Sequence, residues 1–217
     1  TPTSLVATVL LAHPRDGISR GELLLRVGYL IDYCVRKRGA TLSDTLAGHW
    51  DRLVHELESP PAHADGVRAS GGTLAYGPDL YRARLLAHTV DDVVEETLSM
   101  LLSNRFLLAK NYGDDVVYTV VPKFRVNLDY YKNNIGHLFV HESVLSLALL
   151  GSRQEGAIAY PDLRERCKHL SRLFKLEFIY NPGEPFDIQF FKALGRFVEA
   201  GWISEDADGA FQINGDA

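Results

Sequence analysis

The chain is poor in the residues that announce cross-linked or metal-held architectures. Its 217 residues include two cysteines and one methionine. Cys34 and Cys167 stand far apart with no CxxC, so neither a disulfide framework nor a cysteine-rich zinc site can be assembled. A reducing, cytosol-facing compartment is the expectation. No apolar run approaches the ~18–20 residues that a membrane span needs. The chain opens on Thr1-Pro2, without initiator Met or signal-peptide pattern, the start expected of a cut piece. Basic excess is also missing. The net charge is −5, and from Glu177 onward eight acidic residues face two basic ones. Nucleic-acid affinity comes mainly from neutralising phosphates, so this balance weighs against a nucleic-acid partner. Gly-x-Ser-x-Gly and a phosphate loop are absent, and Gly71-Gly72 is too short a glycine signal to cradle a phosphate.

What remains is ordinary for a globular protein: 46% hydrophobic and 24% charged residues. The length suits one large domain or two small ones. The informative stretch is LDYYKNNIGHLFVHESVLSLALL, residues 128–150. Leu128, Tyr131, Ile135 and Leu138 recur at three- and four-residue spacing, which predicts a helix over 128–140 with one apolar side. Its other side carries Lys132, Asn133, Gly136 and His137, with Asn134 near the edge. Adjacent asparagines are poor helix formers because their amides compete for backbone hydrogen bonds. They are tolerated when a neighbouring backbone group or a partner domain satisfies those amides. Ser143 is the expected cap of a second helix, residues 144–150. That run is apolar on nearly all sides and should lie in the middle of the core.

In chain order, Ser4 is expected to cap a helix over 5–12, and Ser19 to open one through Arg38 ending at Gly39. A third helix runs from Ser43 or Asp44 to about Leu57, with Leu46, Trp50, Leu53, Val54 and Leu57 inward. Residues 58–78, rich in Pro, Gly and small residues, predict a mobile loop. A helix over 90–104 precedes a β-hairpin, FLLAK-NYGDD-VVYTVV, closed by Pro122. The order then recurs. SVLSLALLGSRQEGAIAYPDL from Ser143 aligns with SLVATVLLAHPRDGISRGEL from Ser4, helices follow over 161–174 and 187–200, and Gly201-Trp202-Ile203 matches Arg105-Phe106-Leu107. The expected class is mainly α with two small β-hairpins. Sub-repeats 4–121 and 143–213, joined by the helix 128–140, follow the element order of a duplicated winged helix.

His137 and His141 are four apart with Glu142 beside the second, a spacing that suits zinc if a further ligand exists. The protease form needs Glu directly after the first His, and Leu138 stands there. A metallohydrolase using this pair is the third-ranked reading. Hydrogen-bonded structural histidines are the plainer one, so no metal or cofactor is assigned.

The wording YYKNNIGHLFVHESVLSLALL resembles the C-terminal region of membrane-bound, bacterial-type glycerol-3-phosphate acyltransferases. Their family includes the mitochondrial and dihydroxyacetone-phosphate enzymes. The opening TPTSLVATVLLAHPRDG resembles the segment that follows the catalytic half in the bacterial enzymes. The resemblance implies acyl transfer from acyl-CoA or acyl-carrier protein to glycerol 3-phosphate in phospholipid synthesis. It also implies a peripheral place on the cytoplasmic face of the membrane. Catalysis in that family rests on a His followed five positions later by an Asp, the His acting as general base. None of the eight histidines here has Asp at that offset. The expectation is therefore a non-catalytic C-terminal accessory domain, inert alone, whose partner is the catalytic domain of the same polypeptide. Asn133, Asn134 and His137 are its candidate interdomain contacts. The alternative is a winged-helix module for DNA or protein binding.

One more feature is electrostatic. Between Arg164 and Lys175 five basic residues, Arg164, Arg166, Lys168, Arg172 and Lys175, face one acid. Basic helix faces near an anionic leaflet gain about 1 kcal/mol per Lys or Arg. The five are candidate membrane-surface contacts, with a solvated face as the plain alternative.

Overall fold

The computed structural model describes residues 1–13, 17–58, 84–152, 156–174 and 184–214. The loop expected over 58–78 (apart from Glu58 itself, which ends a helix), the basic Lys175, and the side chains of Leu53 and Leu57 lie outside the described residues. The chain forms two compact units, Thr1–Ile135 and Gly136–Ala217, each with its own apolar cluster.

The first unit opens on α1, Pro2–Ala12. Its cap is Thr1, whose Oγ1 accepts from the Ser4 amide at 3.5 Å, and not Ser4 as expected. Pro2 explains the shift, because a proline has no amide to leave unsatisfied in the first turn and its φ suits a helix. Ser4 is then drawn inside and is fully buried. Strand β1, Ile18–Ser19, leads into α2, Arg20–Asp32, with Ser19 as cap as expected. The Glu22 amide donates to Ser19 Oγ at 3.3 Å. A π-turn, Tyr33–Lys37, extends α2. Helix α3 spans Asp44–Glu58, and α4 spans Asp91–Ser103 after a helical segment over 84–89. The hairpin is β2, Leu107–Tyr112, with β3, Asp115–Val120. The sheet order is β1-β3-β2, all antiparallel, with Ile18 opposite Tyr118. A 3-10 turn, Pro122–Phe124, opens α5, Arg125–Gly136.

The second unit repeats the plan with fewer parts. Helix α6 spans Val140–Ser152, β4 Ile158–Ala159, α7 Tyr160–Leu173 and α8 Phe186–Glu199. Strands β5, Ile203–Glu205, and β6, Ala210–Ile213, complete a sheet of order β4-β6-β5, with Ile158 opposite Phe211. The ends of α4 and α8 correspond in their backbone hydrogen bonds. The Phe106 amide bonds to Leu101 O and the Trp202 amide to Phe197 O, and the residue before each amide is left-handed: Arg105 at φ 59° and Gly201 at φ 71°.

Two expectations fail around α6. The helix begins at Val140, so Ser143 lies exposed inside its first turn and caps nothing. Nor is the apolar run buried on all sides. Leu145 and Leu149 are inside, but Leu147 is 49% and Leu150 56% exposed. Burial on every side needs neighbours on every side. Within its unit α6 packs on α7 and α8, whereas the cluster around α1 also takes in residues of α3 and α5, such as Leu46 and Leu128. The predicted helix 128–140 also stops short, at Gly136.

Candidate functional site

Helix α5 divides cleanly into two faces. Leu128 is fully buried, and Tyr131 and Ile135 pack on the first cluster. Arg125 fastens the start of α5 by donating to the Leu11 carbonyl at 3.2 Å. The opposite face is open. Val126 is 77% and Tyr130 72% exposed. Asn133 and Asn134 follow one turn later, exposed, with Asn127 at the flank. Positions 126, 130, 133 and 134 fall within one stripe because i, i+4 and i+7 share a helix face. Among the described residues neither the Asn133 nor the Asn134 side-chain amide has a hydrogen-bond partner. The amides are therefore not spent on neighbouring backbone. Sequence reasoning found the asparagines and missed Val126 and Tyr130. The signal was available, since both sit on the polar face of a helix whose apolar side was already identified.

His137 does not join this stripe. It lies past the end of α5, exposed, in the second unit. His137 and His141 do not share a helix face, because α5 ends at Gly136 and α6 begins at Val140. A glycine and a turn intervene, with the Phe139 amide bonded to Gly136 O at 3.0 Å. Among the described residues no three His, Cys, Asp or Glu side chains gather in a way that could hold a metal ion. Glu142, beside His141, is taken by Arg196, whose Nε donates to it at 2.8 Å. That pair ties α6 to α8.

Part of the basic face of α7 is neutralised inside its own unit. Arg164 bonds to Asp187 and to Glu165, each at 2.7 Å. Arg166 donates to Ser152 Oγ at 2.6 Å, and Lys168 lies 3.6 Å from Glu165. Arg172 is exposed. The first unit holds a cleft of about 480 Å³ between α2 and residues 84–91, lined by Arg20, Leu24, Arg84, His88 and Asp91. Its chief cation is also occupied. Arg20 pairs with Asp91 at 2.7 Å and with Glu95 at 3.4 Å, and the Asp91 carboxylate raises the Arg20 pKa further. Both cysteines are buried, and burial pushes Cys34 up to about 11 and Cys167 up to about 12. Neither is a thiolate at neutral pH, so neither is a nucleophile.

In a winged helix the helix that precedes the hairpin, here α4 or α8, would enter a DNA groove. The exposed face of α4 carries Asp92, Glu95, Glu96 and Ser99. The equivalent face of α8 carries Ile188, Phe191 and Val198. The cation beside the α8 face, Lys192, is paired with Glu184, and the α4 face carries acids where phosphates require cations.

The family model for the glycerol-3-phosphate acyltransferase C-terminal region matches residues 80–216. The chain belongs to that family. The match covers most of the chain, including α5 with its asparagine pair and the whole second unit apart from Ala217. Membership makes the chain part of a glycerol-3-phosphate acyltransferase. No curated protein matches it. Among the described residues of this acyltransferase region, no single helix is long and apolar enough to cross a membrane.

Proposed function

We propose that the chain is a non-catalytic accessory domain of a glycerol-3-phosphate 1-O-acyltransferase, docked on the catalytic half through the open face of α5. The parent enzyme would take its acyl group from acyl-CoA or acyl-carrier protein. The observation that carries the reading is the stripe of Val126, Tyr130, Asn133 and Asn134. An aromatic and an aliphatic side chain lie largely in solvent beside side-chain amides without partners among the described residues. Tyrosine is prominent among interface hot spots, and amides at such a site supply directional bonds that fix register. The missing His-x4-Asp pair supports an accessory role over a catalytic one.

The test uses Tyr130→Ala and Asn133→Ala in the intact enzyme and in the 217-residue chain. Exposed substitutions cost a folded domain within about 0.5 kcal/mol. The chain should melt unchanged, while acyl transfer by the intact enzyme falls about thirtyfold, the equivalent of one lost hot-spot contact of about 2 kcal/mol. Full activity in both variants would overturn the docking face. A fall in the melting temperature of the chain would make these residues internal supports instead. Wild-type chain alone, given glycerol 3-phosphate and acyl-CoA, should form no product.

Seating on an anionic leaflet through Arg164, Arg166, Lys168, Arg172 and Lys175 belongs to the same proposal. It rests on fewer free charges than composition suggested, because Arg164 and Lys168 lie beside carboxylates of the same unit.

A further inference from the structure

We propose that the exposed face of α8 is a self-complementary seam through which two copies of this chain pair, antiparallel, about a two-fold axis.

The starting point is an internal control. Matching Gly201 to Arg105 at the helix ends sets α8 against α4 residue for residue. Where α4 shows water Asp92, Glu95 and Ser99, α8 shows Ile188, Phe191 and Gly195. The fold therefore does not require apolar residues at these three positions, whereas Val198 matches Leu102, apolar in both helices. Yet Ile188 is 46%, Phe191 67% and Val198 43% exposed. Their spacing is three, four and three residues, the a/d repeat of a helix–helix seam. Gly195 occupies the fourth position, and a Cβ built there meets nothing within 4 Å.

Size reciprocity identifies the occupant. In an antiparallel pair centred on Ala193, Phe191 of one copy lies opposite Gly195 of the other, and Ile188 lies opposite Val198. Both relations are satisfied twice by the same two-fold operation, as an isologous interface demands. The largest knob thus meets the one hole without a side chain. Charge agrees with this register. Lys192 and Glu199 flank the seam on the same side. An antiparallel pair then sets Lys192 of each copy about 7.5 Å along the axis from Glu199 of the other, within reach of two long side chains. Near the axis, where the two Lys192 approach, each is already neutralised by its own Glu184.

Three side chains and a glycine per copy bury less than the ~1,200–2,000 Å² of a standard interface. The expected dissociation constant is therefore weak, on the order of 100 μM. Sedimentation equilibrium of the 217-residue chain, carried to about ten times that concentration, should show a monomer–dimer equilibrium. Phe191→Asp should leave it monomeric throughout, with an unchanged circular dichroism spectrum. Gly195→Leu should also abolish pairing, because it fills the hole, although it adds apolar surface. The register is read by cross-linking: Ile188→Cys with Val198→Cys in one chain should form disulfide-linked dimers, and Ile188→Cys alone should not. A chain that stays monomeric at all concentrations overturns the proposal. So does a dimer that survives Phe191→Asp or is tightened by Gly195→Leu.

Discussion

Arg105 carries a conformation that its own sequence does not favour. It follows α4 at φ 59°, in the left-handed region that glycine occupies at the same point after α8. A side chain there places Cβ against the following carbonyl, at a cost of roughly 1–2 kcal/mol. Replacing Arg105 by Gly relieves that contact but frees the unfolded chain, so the two effects partly offset. The expected net gain is about 0.5–1 kcal/mol, seen as a higher melting temperature. The mirror substitution, Gly201→Arg, should cost about 1 kcal/mol. If the two changes moved stability in the same direction, the helix ends would not be equivalent.

At the scale of elements, β1 and β4 are two-residue strands that hold each helix pair to its hairpin. The approach to β1 is tight at Gly17. A Cβ on it would lie 2.7 Å from Val117 Cγ1 and 3.2 Å from Thr119 Oγ1. Valine is stiff at χ1 and cannot turn aside cheaply. Gly17→Ala should therefore destabilise the first unit by about 1–3 kcal/mol, read from the denaturant midpoint. An unchanged midpoint would mean that β1 sits more loosely on β3 than their register implies. Helix α5 makes a different point at this scale. Its buried side is anchored by Leu128, Tyr131 and Ile135, so the stripe opposite is presented on a rigid support, as a docking face requires.

At the scale of the molecule there are two cores. The clusters around Leu98 and Leu145 share no residue. Both leucines are fully buried, and a Leu→Ala change in such a site costs about 2–5 kcal/mol. Thermal unfolding should resolve two transitions, with Leu98→Ala lowering one and Leu145→Ala the other. Equal displacement of a single transition by either change would show one cooperative unit in place of two.

Local chemistry settled much of this in the sequence. The three-and-four spacing of Leu128, Tyr131 and Ile135, the cap at Ser19, the hairpin turn at Gly113 and the repeated order of elements all act through neighbours a few residues away. Such features survive whatever the rest of the chain does. The same holds for the asparagine pair, legible as two poor helix formers in a helical pattern. Tertiary structure decided what depends on distant neighbours. Nothing local distinguishes Leu150 from Leu11, the corresponding residue of α1. Leu11 is buried and Leu150 exposed, because elements beyond the shared repeat join the first core and have no counterpart among the described residues of the second. Composition likewise assigned five cations to one face near α7, but Arg164 is paired with the Asp187 carboxylate, elsewhere in the chain. A charge is free or spent according to what the fold brings beside it, and that pairing is written in three dimensions.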